Sequence, residues 1–312
     1  MKPTVAIATG DPAGIGPEIS LKAARDPAVL DICRPVLVGD RAVLELHARA
    51  CGLSLDGIEL LPVAQDLPEL GSVAPSHGRA ALAAAEKAIR AALEGRFAAV
   101  VGAPHTEAAV HAAGIDFDGY PSFVARVCGL APEDGILMLC FRHGGREVRI
   151  AHVTLHTSVL SALAMITVAR VVKTVRAVRD ALMKLGIAQP KIAVSGVNPH
   201  AGESGAFGRE EIEVVDPALQ QARREGIAAD GPIGADTLIQ RMGYDAYVVM
   251  LHDQGHVAAK ALAPQRIAAL TLGTPVLFSS VGHGSALDIA GQGRADATAM
   301  REAITRLVGG RA

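Results

Sequence analysis

Three apolar runs of this chain end in imidazole. "RIAHVTLH" delivers His152 and His156 at its exit, "KIAVSGVNPHAG" delivers His200 just past its own, and "YVVMLHDQG" delivers His252 past a third. In open α/β sheets the carboxyl ends of strands line the ligand crevice, so histidines brought there from three strands can converge on one divalent ion. Imidazole suits zinc, cobalt, nickel or manganese, and the carboxylates of Asp236 and Asp253 can add a ligand or orient one. A single histidine at a strand end is commonly a satisfied structural residue; three in the same topological place favour the metal. Lys260 follows His252, beyond a glycine that lets the chain turn, and a lysine there can bind a substrate carboxylate or take part in proton transfer. Its plain alternative is a solvated surface lysine.

Two glycine-rich segments suggest a second kind of chemistry. "SSVGHGSALDIAGQGRAD" gathers Gly282, Gly284, Gly291 and Gly293 around His283, Ser285 and Asp288. Glycines let backbone amides approach phosphate oxygens and a carboxylate accepts from ribose hydroxyls, which is how a dinucleotide is held, although the usual GxGxxG fingerprint is absent. "GDPAGIGPEI" places Gly14 and Gly16 before Pro17 at a helix start, where a phosphate contact and a tight strand-to-helix turn are equally good readings.

The elements that must position these groups are short, continuously apolar strands such as "TVAIA", "RPVLVG", "AYVVML" and "AALTLG", separated by alanine-rich stretches with helical spacing. That pattern predicts sheets covered on both faces, an α/β fold with much parallel pairing. The stretch from Thr157-Ser158 to Gly186 predicts a single helix of roughly 27 residues, ~40 Å at ~1.5 Å per residue. Two domains would be joined by crossings near residues 126 and 268. With a net charge of −2, 3% aromatic residues and no tryptophan, the chain has little from which to build a basic groove or a stacking platform, so nucleic acid is a poor partner and a small molecule a good one. Cys33, Cys51, Cys128 and Cys140 form no CxxC pair and are expected to be reduced. The first apolar run is too short for a signal peptide and no run is long enough to span a membrane, which predicts a cytoplasmic protein.

In order along almost the whole chain, "GDPAGIGPEI", "NPHAGESGAFGREE", "GPIGADT", "MLHDQGHVAAK" and "SVGHGSALDIAG" resemble the 4-hydroxythreonine-4-phosphate dehydrogenase family. The resemblance implies an isocitrate/isopropylmalate dehydrogenase-like fold of two α/β domains with an active-site cleft between them. Residues 1–126 and 268–312 would bind the cofactor, and residues 127–267 would carry the metal, the substrate and the dimer contact. It further implies that His283, Gly284, Ser285, Ala286 and Asp288 contact NAD. His152, His200 and His252 would bind one divalent ion, zinc foremost, with cobalt, manganese, magnesium, nickel or iron as alternatives. His252 would reach the site of the partner subunit of a homodimer, and Asp236, Asp253 and Lys260 would serve catalysis beside metal and substrate.

The departures from that family narrow the substrate. Gly119-Tyr120-Pro121-Ser122 stands where the family reads Gly-His-Thr-Glu, Glu107 where it has a lysine, Ala269 where it has an asparagine and Phe278 where it has an arginine. These changes remove most of the donors that could hold a phosphate dianion. "PHTEAAVHAAGIDFDGYPS" and "HVTLHTSVLSAL" instead resemble the terephthalate cis-dihydrodiol dehydrogenase branch, in which Tyr120 and Phe278 would suit a planar hydrocarbon ring and Lys260 a carboxylate. The implied activity is NAD- and metal-dependent oxidative decarboxylation of a cyclohexadiene diol dicarboxylate to 3,4-dihydroxybenzoate. The alternatives are oxidation of another β-hydroxy acid, 4-phosphohydroxy-threonine included, a noncatalytic binding protein, and, more distantly, a metallohydrolase.

Overall fold

The apolar runs become strands whose two faces are both covered, which is why their sequences are continuous rather than alternating. The computed structural model describes residues 2–263 and 266–308; the chain ends included in the expected cofactor domain, residue 1 and residues 309–312, lie outside the described residues. The chain forms two compact units, one running to Glu133 and resuming at Thr274, the other Asp134–Gly273.

In the first unit, β1 (Thr4–Ala8), β2 (Arg34–Gly39), β3 (Glu59–Pro62), β4 (Ala99–Gly102) and β11 (Phe278–Val281) lie in the order β3-β2-β1-β4-β11. Every pair is parallel. The helix Pro75–Leu93 covers one face with small side chains, burying Ala84, Ala85 and Ala88 together with Ile89 in a cluster that includes Val100, Tyr120 and Phe278. The helix Arg41–Cys51 starts where the Asp40 carboxylate accepts from the amides of Ala42 and Val43 at 2.7 and 3.2 Å, and stops at Gly52 with φ +66°.

The second unit contains β5 (Ile136–His143), β6 (Arg146–His152), β7 (Lys191–Ser195), β8 (Ala228–Ile233), β9 (Ala246–Val249) and β10 (Ala268–Leu272), in the order β10-β5-β6-β9-β7-β8. β5 and β6 make an antiparallel hairpin turned by Gly144 and Gly145, both at positive φ. β6, β9, β7 and β8 are mutually parallel. Their carboxyl ends therefore lie along one edge, and the segments that follow them begin there. Phe141, Ile150, Tyr247, Val249 and Ala259 form the core beneath.

Two expectations about elements are corrected. The single long helix is two helices, Val159–Met165 and Val168–Lys184. The β-branched run Ile166-Thr167-Val168 interrupts it: Thr167 is extended, and its hydroxyl accepts from the amide of Arg170 at 3.3 Å, capping a new helix. The expected crossings also differ, because residue 126 lies inside the helix Tyr120–Val127 and β10 pairs antiparallel with β5 from Ala268 to Leu272, which keeps that strand in the second unit. Among the described residues, no helix is long and apolar enough to cross a membrane.

Candidate active-site groups

In the second unit, β6 brings His152 to its last position, but the ladder does not stop there. The amides of Val153 and Thr154 go on bonding to the carbonyls of Val249 and Met250, at 2.9 and 3.2 Å, so the strand's open edge comes later in the chain. His152 is consequently 2% exposed, with Nδ1 3.4 Å from the Leu137 carbonyl and Nε2 without a hydrogen-bond partner among the described residues. His156 is the imidazole that reaches the surface. The unpartnered Nε2 keeps His152 a candidate ligand.

The helix His252–Leu262 begins directly after β9, and the i, i+4, i+8 spacing puts His252, His256 and Lys260 on one face. His252 and His256 stack with ring centroids 3.8 Å apart, while His156 lies 5.6 Å from His252 and His152 4.7 Å from His256. Burial, reinforced by the neighbouring imidazoles, lowers His152 to about 3 and His256 to about 4. Both are neutral at neutral pH. Nδ1–H of His252 donates to the Asp253 carboxylate at 2.7 Å, which leaves Nε2 as a lone pair for a metal. Gly255 is no turn: it is buried inside the helix, and a Cβ there would lie 2.3 Å from Nε2 of His152. Lys260 is exposed at the end of this face.

His200 follows β7 in an exposed turn, with its ring 6.1 Å from Phe207 and Nδ1 3.5 Å from the Glu203 carboxylate. Asp236 lies across Gly234 from it, since a Cβ on Gly234 would be 2.7 Å from Oδ1 of Asp236 and 3.5 Å from Cα of His200. Gln254 ties the loops after β7 and β9 together, donating to the Gly196 carbonyl at 3.2 Å and accepting from the amides of Met250 and Leu251 at 2.9 and 3.0 Å. The single chain does not bring His200 to the other imidazoles, and among the described residues no three His, Cys, Asp or Glu side chains form a metal cage. The donors themselves, an exposed imidazole at His156 and a half-buried one at His252 with a carboxylate fixing its tautomer, fit a divalent ion of intermediate softness.

In the first unit, a cavity of about 630 Å³ opens beyond the carboxyl ends of β4 and β11. Its polar lining includes His105, Glu107, His283, Ser285 and Asp288, and Gly284 and Ala286 contribute backbone. A Cβ on Gly284 would meet no described atom within 4 Å, and Ala286 holds φ +40°, so the wall is shaped by backbone. The Ser285 hydroxyl is buried with no hydrogen-bond partner among the described residues, an opening for a ligand's polar group. The volume and donor set suit a nucleotide-sized ligand.

The "GDPAGIG" segment resolves to a tight turn that supports this wall from beneath. The amide of Ile15 donates to the Ser285 carbonyl at 2.9 Å, and a Cβ on Gly14 would come within 2.7 Å of Ser285, so only glycine permits the approach. Asp11 accepts from the amide of Ala13 at 2.9 Å and from the Thr106 hydroxyl. Nε2–H of His47, fully buried, donates to the Pro12 carbonyl at 2.8 Å. Glu18, also fully buried, receives Lys22 at 2.7 Å and the amide of Ala295 at 2.9 Å, pinning the end of the glycine-rich segment.

Phe278 is corrected from a substrate contact to a core residue: it is 0% exposed, and its ring lies 4.9 Å from Tyr120. Both rings press on Gly102, where a Cβ would be 2.9 Å from Phe278 and 3.1 Å from Tyr120. Tyr120 does reach the cavity wall, although it is nearly buried and its hydroxyl donates to the Ala103 carbonyl at 3.4 Å. The sequence reading did not single out His105, which lines the cavity edge-on to Tyr120 and Phe117, at 5.1 and 4.8 Å, with its pKa lowered chiefly by burial. Its signal lay in "PHTE", where the imidazole stands two residues before Glu107.

A parallel α/β protein with imidazoles along one strand edge and a glycine-walled nucleotide-sized cavity beyond another belongs to the broad class of ligand-binding α/β enzymes. The chain belongs to the pyridoxal phosphate biosynthetic protein PdxA family, which matches residues 31–307. It is 43% identical over 308 residues, 97% of this chain and 96% of the relative, to 1,2-dihydroxy-3,5-cyclohexadiene-1,4-dicarboxylate dehydrogenase of Comamonas sp.. It is similar to the crystal structure of a terephthalate 1,2-cis-dihydrodiol dehydrogenase from Burkholderia xenovorans LB400, with TM-score 0.75 and 42% identity, covering 98% of each chain. It is also similar to a 4-hydroxythreonine-4-phosphate dehydrogenase from Burkholderia phymatum, with TM-score 0.83 and 32% identity, covering 99% of each chain.

Proposed function

We propose that this protein catalyses the NAD- and divalent-metal-dependent oxidative decarboxylation of terephthalate cis-1,2-dihydrodiol, 1,2-dihydroxy-3,5-cyclohexadiene-1,4-dicarboxylate, to 3,4-dihydroxybenzoate, CO2 and NADH. The observation that carries this reading is the 43% identity, over nearly the full length of both chains, to a dehydrogenase named for that substrate. The cavity wall supports it, because Glu107 and Tyr120 replace the cation and imidazole by which the phosphate-binding relatives were expected to hold their substrate. One observation favours a second reading: the TM-score to a 4-hydroxythreonine-4-phosphate dehydrogenase is the higher of the two, 0.83 against 0.75. Backbone likeness does not choose substrates, however, and the cavity-lining side chains at 107 and 120 favour the diol.

In this reading the first unit binds NAD, with Asp288 accepting from the ribose hydroxyls of the adenosine and the backbone of Gly284 and Ala286 admitting the phosphates. His152, His200 and His252 would hold the metal, with the exposed His156 beside them. A bound divalent ion supplies Lewis acidity toward the substrate's hydroxyl and the carbonyl that replaces it. Asp253 holds His252 in the ligating tautomer, and Asp236 stands beside His200. Lys260, on the His252 face, would bind a substrate carboxylate or relay the hydroxyl proton outward while hydride passes to NAD. The resulting β-keto acid loses CO2 and becomes aromatic. Completion of the imidazole set by a partner subunit, in a homodimer of isopropylmalate dehydrogenase-like architecture working in the cytoplasm, belongs to the same proposal. Zinc is the favoured ion. The test is stoichiometry: equal amounts of NADH, CO2 and 3,4-dihydroxybenzoate are expected from the diol, and NADH without CO2 would remove the decarboxylation from the reading.

A further inference from the structure

The turn that carries His200 has an unusual backbone. His200, Ala201, Gly202, Glu203 and Ser204 all have positive φ, at 51°, 53°, 79°, 42° and 57°. L-residues disfavour this conformation because Cβ crowds the next carbonyl oxygen, and it is ordinarily adopted by single residues rather than by runs. A contact from outside the turn must therefore hold it. Glu211 makes that contact. It is 3% exposed and opens the single π-helical turn Glu211–Val215, a type of turn found often at functional sites. Its Oε1 accepts from the amides of Val197 and Asn198 at 2.7 and 2.8 Å, and its Oε2 accepts from the Asn198 side-chain amide at 2.9 Å. The carboxylate also touches the backbone on both sides of the histidine, since a Cβ on Gly196 would lie 2.8 Å from Oε1 and one on Gly202 2.6 Å from Oε2.

We propose that Glu211 is the positioning residue for His200: its buried carboxylate anchors Val197 and Asn198 and seats Gly202, fixing the left-handed turn so that the imidazole is presented ready for the metal. The proposal rests on the reading of His200 as a metal ligand. A carboxylate suits the task because both oxygens accept; a glutamine would aim N–H at one of the three donors, and that contact would fail.

The test uses the full-length, metal-free protein titrated with cobalt(II) and followed by visible absorption, with thermal unfolding of the same samples as the control for folding. E211Q is expected to unfold close to the wild-type temperature but to bind cobalt about 10–100-fold more weakly, the usual loss when a group that orients a ligand is removed. Adding A201G, which relieves the turn of one disfavoured side chain, is expected to recover part of that affinity. G202A, which leaves the carboxylate intact but wedges the turn away from it, gives a second arm should E211Q fail to fold, and it too is expected to weaken cobalt binding. Wild-type cobalt affinity in folded E211Q or in G202A would overturn the proposal while leaving His200 a ligand, provided H200A has lost affinity. Wild-type affinity in H200A would overturn both the proposal and the metal reading beneath it.

Discussion

The two histidines at the exit of β6 differ in exposure, because hydrogen bonds prolong the strand past His152 and leave His156 at the surface. H152A is expected to weaken cobalt binding about 10-fold or more and to lower stability by roughly 0.5–3 kcal/mol, the ordinary range of core substitutions, whereas H156A is expected to change neither much. Parallel titrations and melts of the two variants check this, and a loss of cobalt affinity confined to H156A would reverse the assignment. His47 is a different case, an imidazole that no motif marks. Burial lowers its pKa while its Nε2–H supports Pro12. Its unfolded value is about 6.5, so the stabilisation is complete above that pH and is lost as the pH falls below it, because the unfolded chain then binds the proton more readily. H47Q, which can keep the bond to Pro12 without titrating, is expected to flatten stability against pH below about 6.5. An unchanged acid limb in urea melts would contradict this. Phe278 shows the opposite limit of legibility: its departure from the family pattern was visible in the sequence, but its complete burial was not, since a phenylalanine beside a pocket and one beneath it look alike in a single chain.

At the scale of elements, the parallel strands were legible because continuous apolar runs have few other uses. The interruption at Thr167 was not, because alanine and valine periodicity continues across it and only local capping shows that a new helix begins. Gly255 was misread for a related reason: glycine usually marks a turn, and here it sits in mid-helix so that His152 can pack against the backbone. Two effects oppose each other at this position. Alanine is favoured over glycine in a helix by ~1 kcal/mol, but forcing a methyl to within 2.3 Å of a buried ring is overpacking, which typically costs 1–3 kcal/mol. The steric effect is expected to win, so G255A should lower stability by about 1 kcal/mol or more. A stabilised G255A in chemical denaturation would show that the two elements are less tightly packed.

For the whole molecule, an α/β protein of two units was legible in the sequence, because the alternation of strands and helices survives without knowledge of packing. Sequence alone placed the crossings several residues away from Glu133 and Thr274, since antiparallel pairing of β10 with β5 joins segments far apart in sequence and no local signal marks it. The Asp288 carboxylate on the cavity wall would repel a 2′-phosphate, so turnover is expected to be clearly faster with NAD than with NADP, and D288A to narrow the difference. Equal rates with the two cofactors would remove Asp288 from the ribose site. The measurement that bears most directly on the function is the initial rate of NADH formation by metal-loaded protein offered terephthalate cis-dihydrodiol or 4-phosphohydroxy-threonine, with a chelated sample alongside. Metal-dependent turnover of the diol and none of the phosphate ester is expected. Turnover of the phosphate ester alone would contradict this and mean that groups other than those at 107 and 120 bind phosphate.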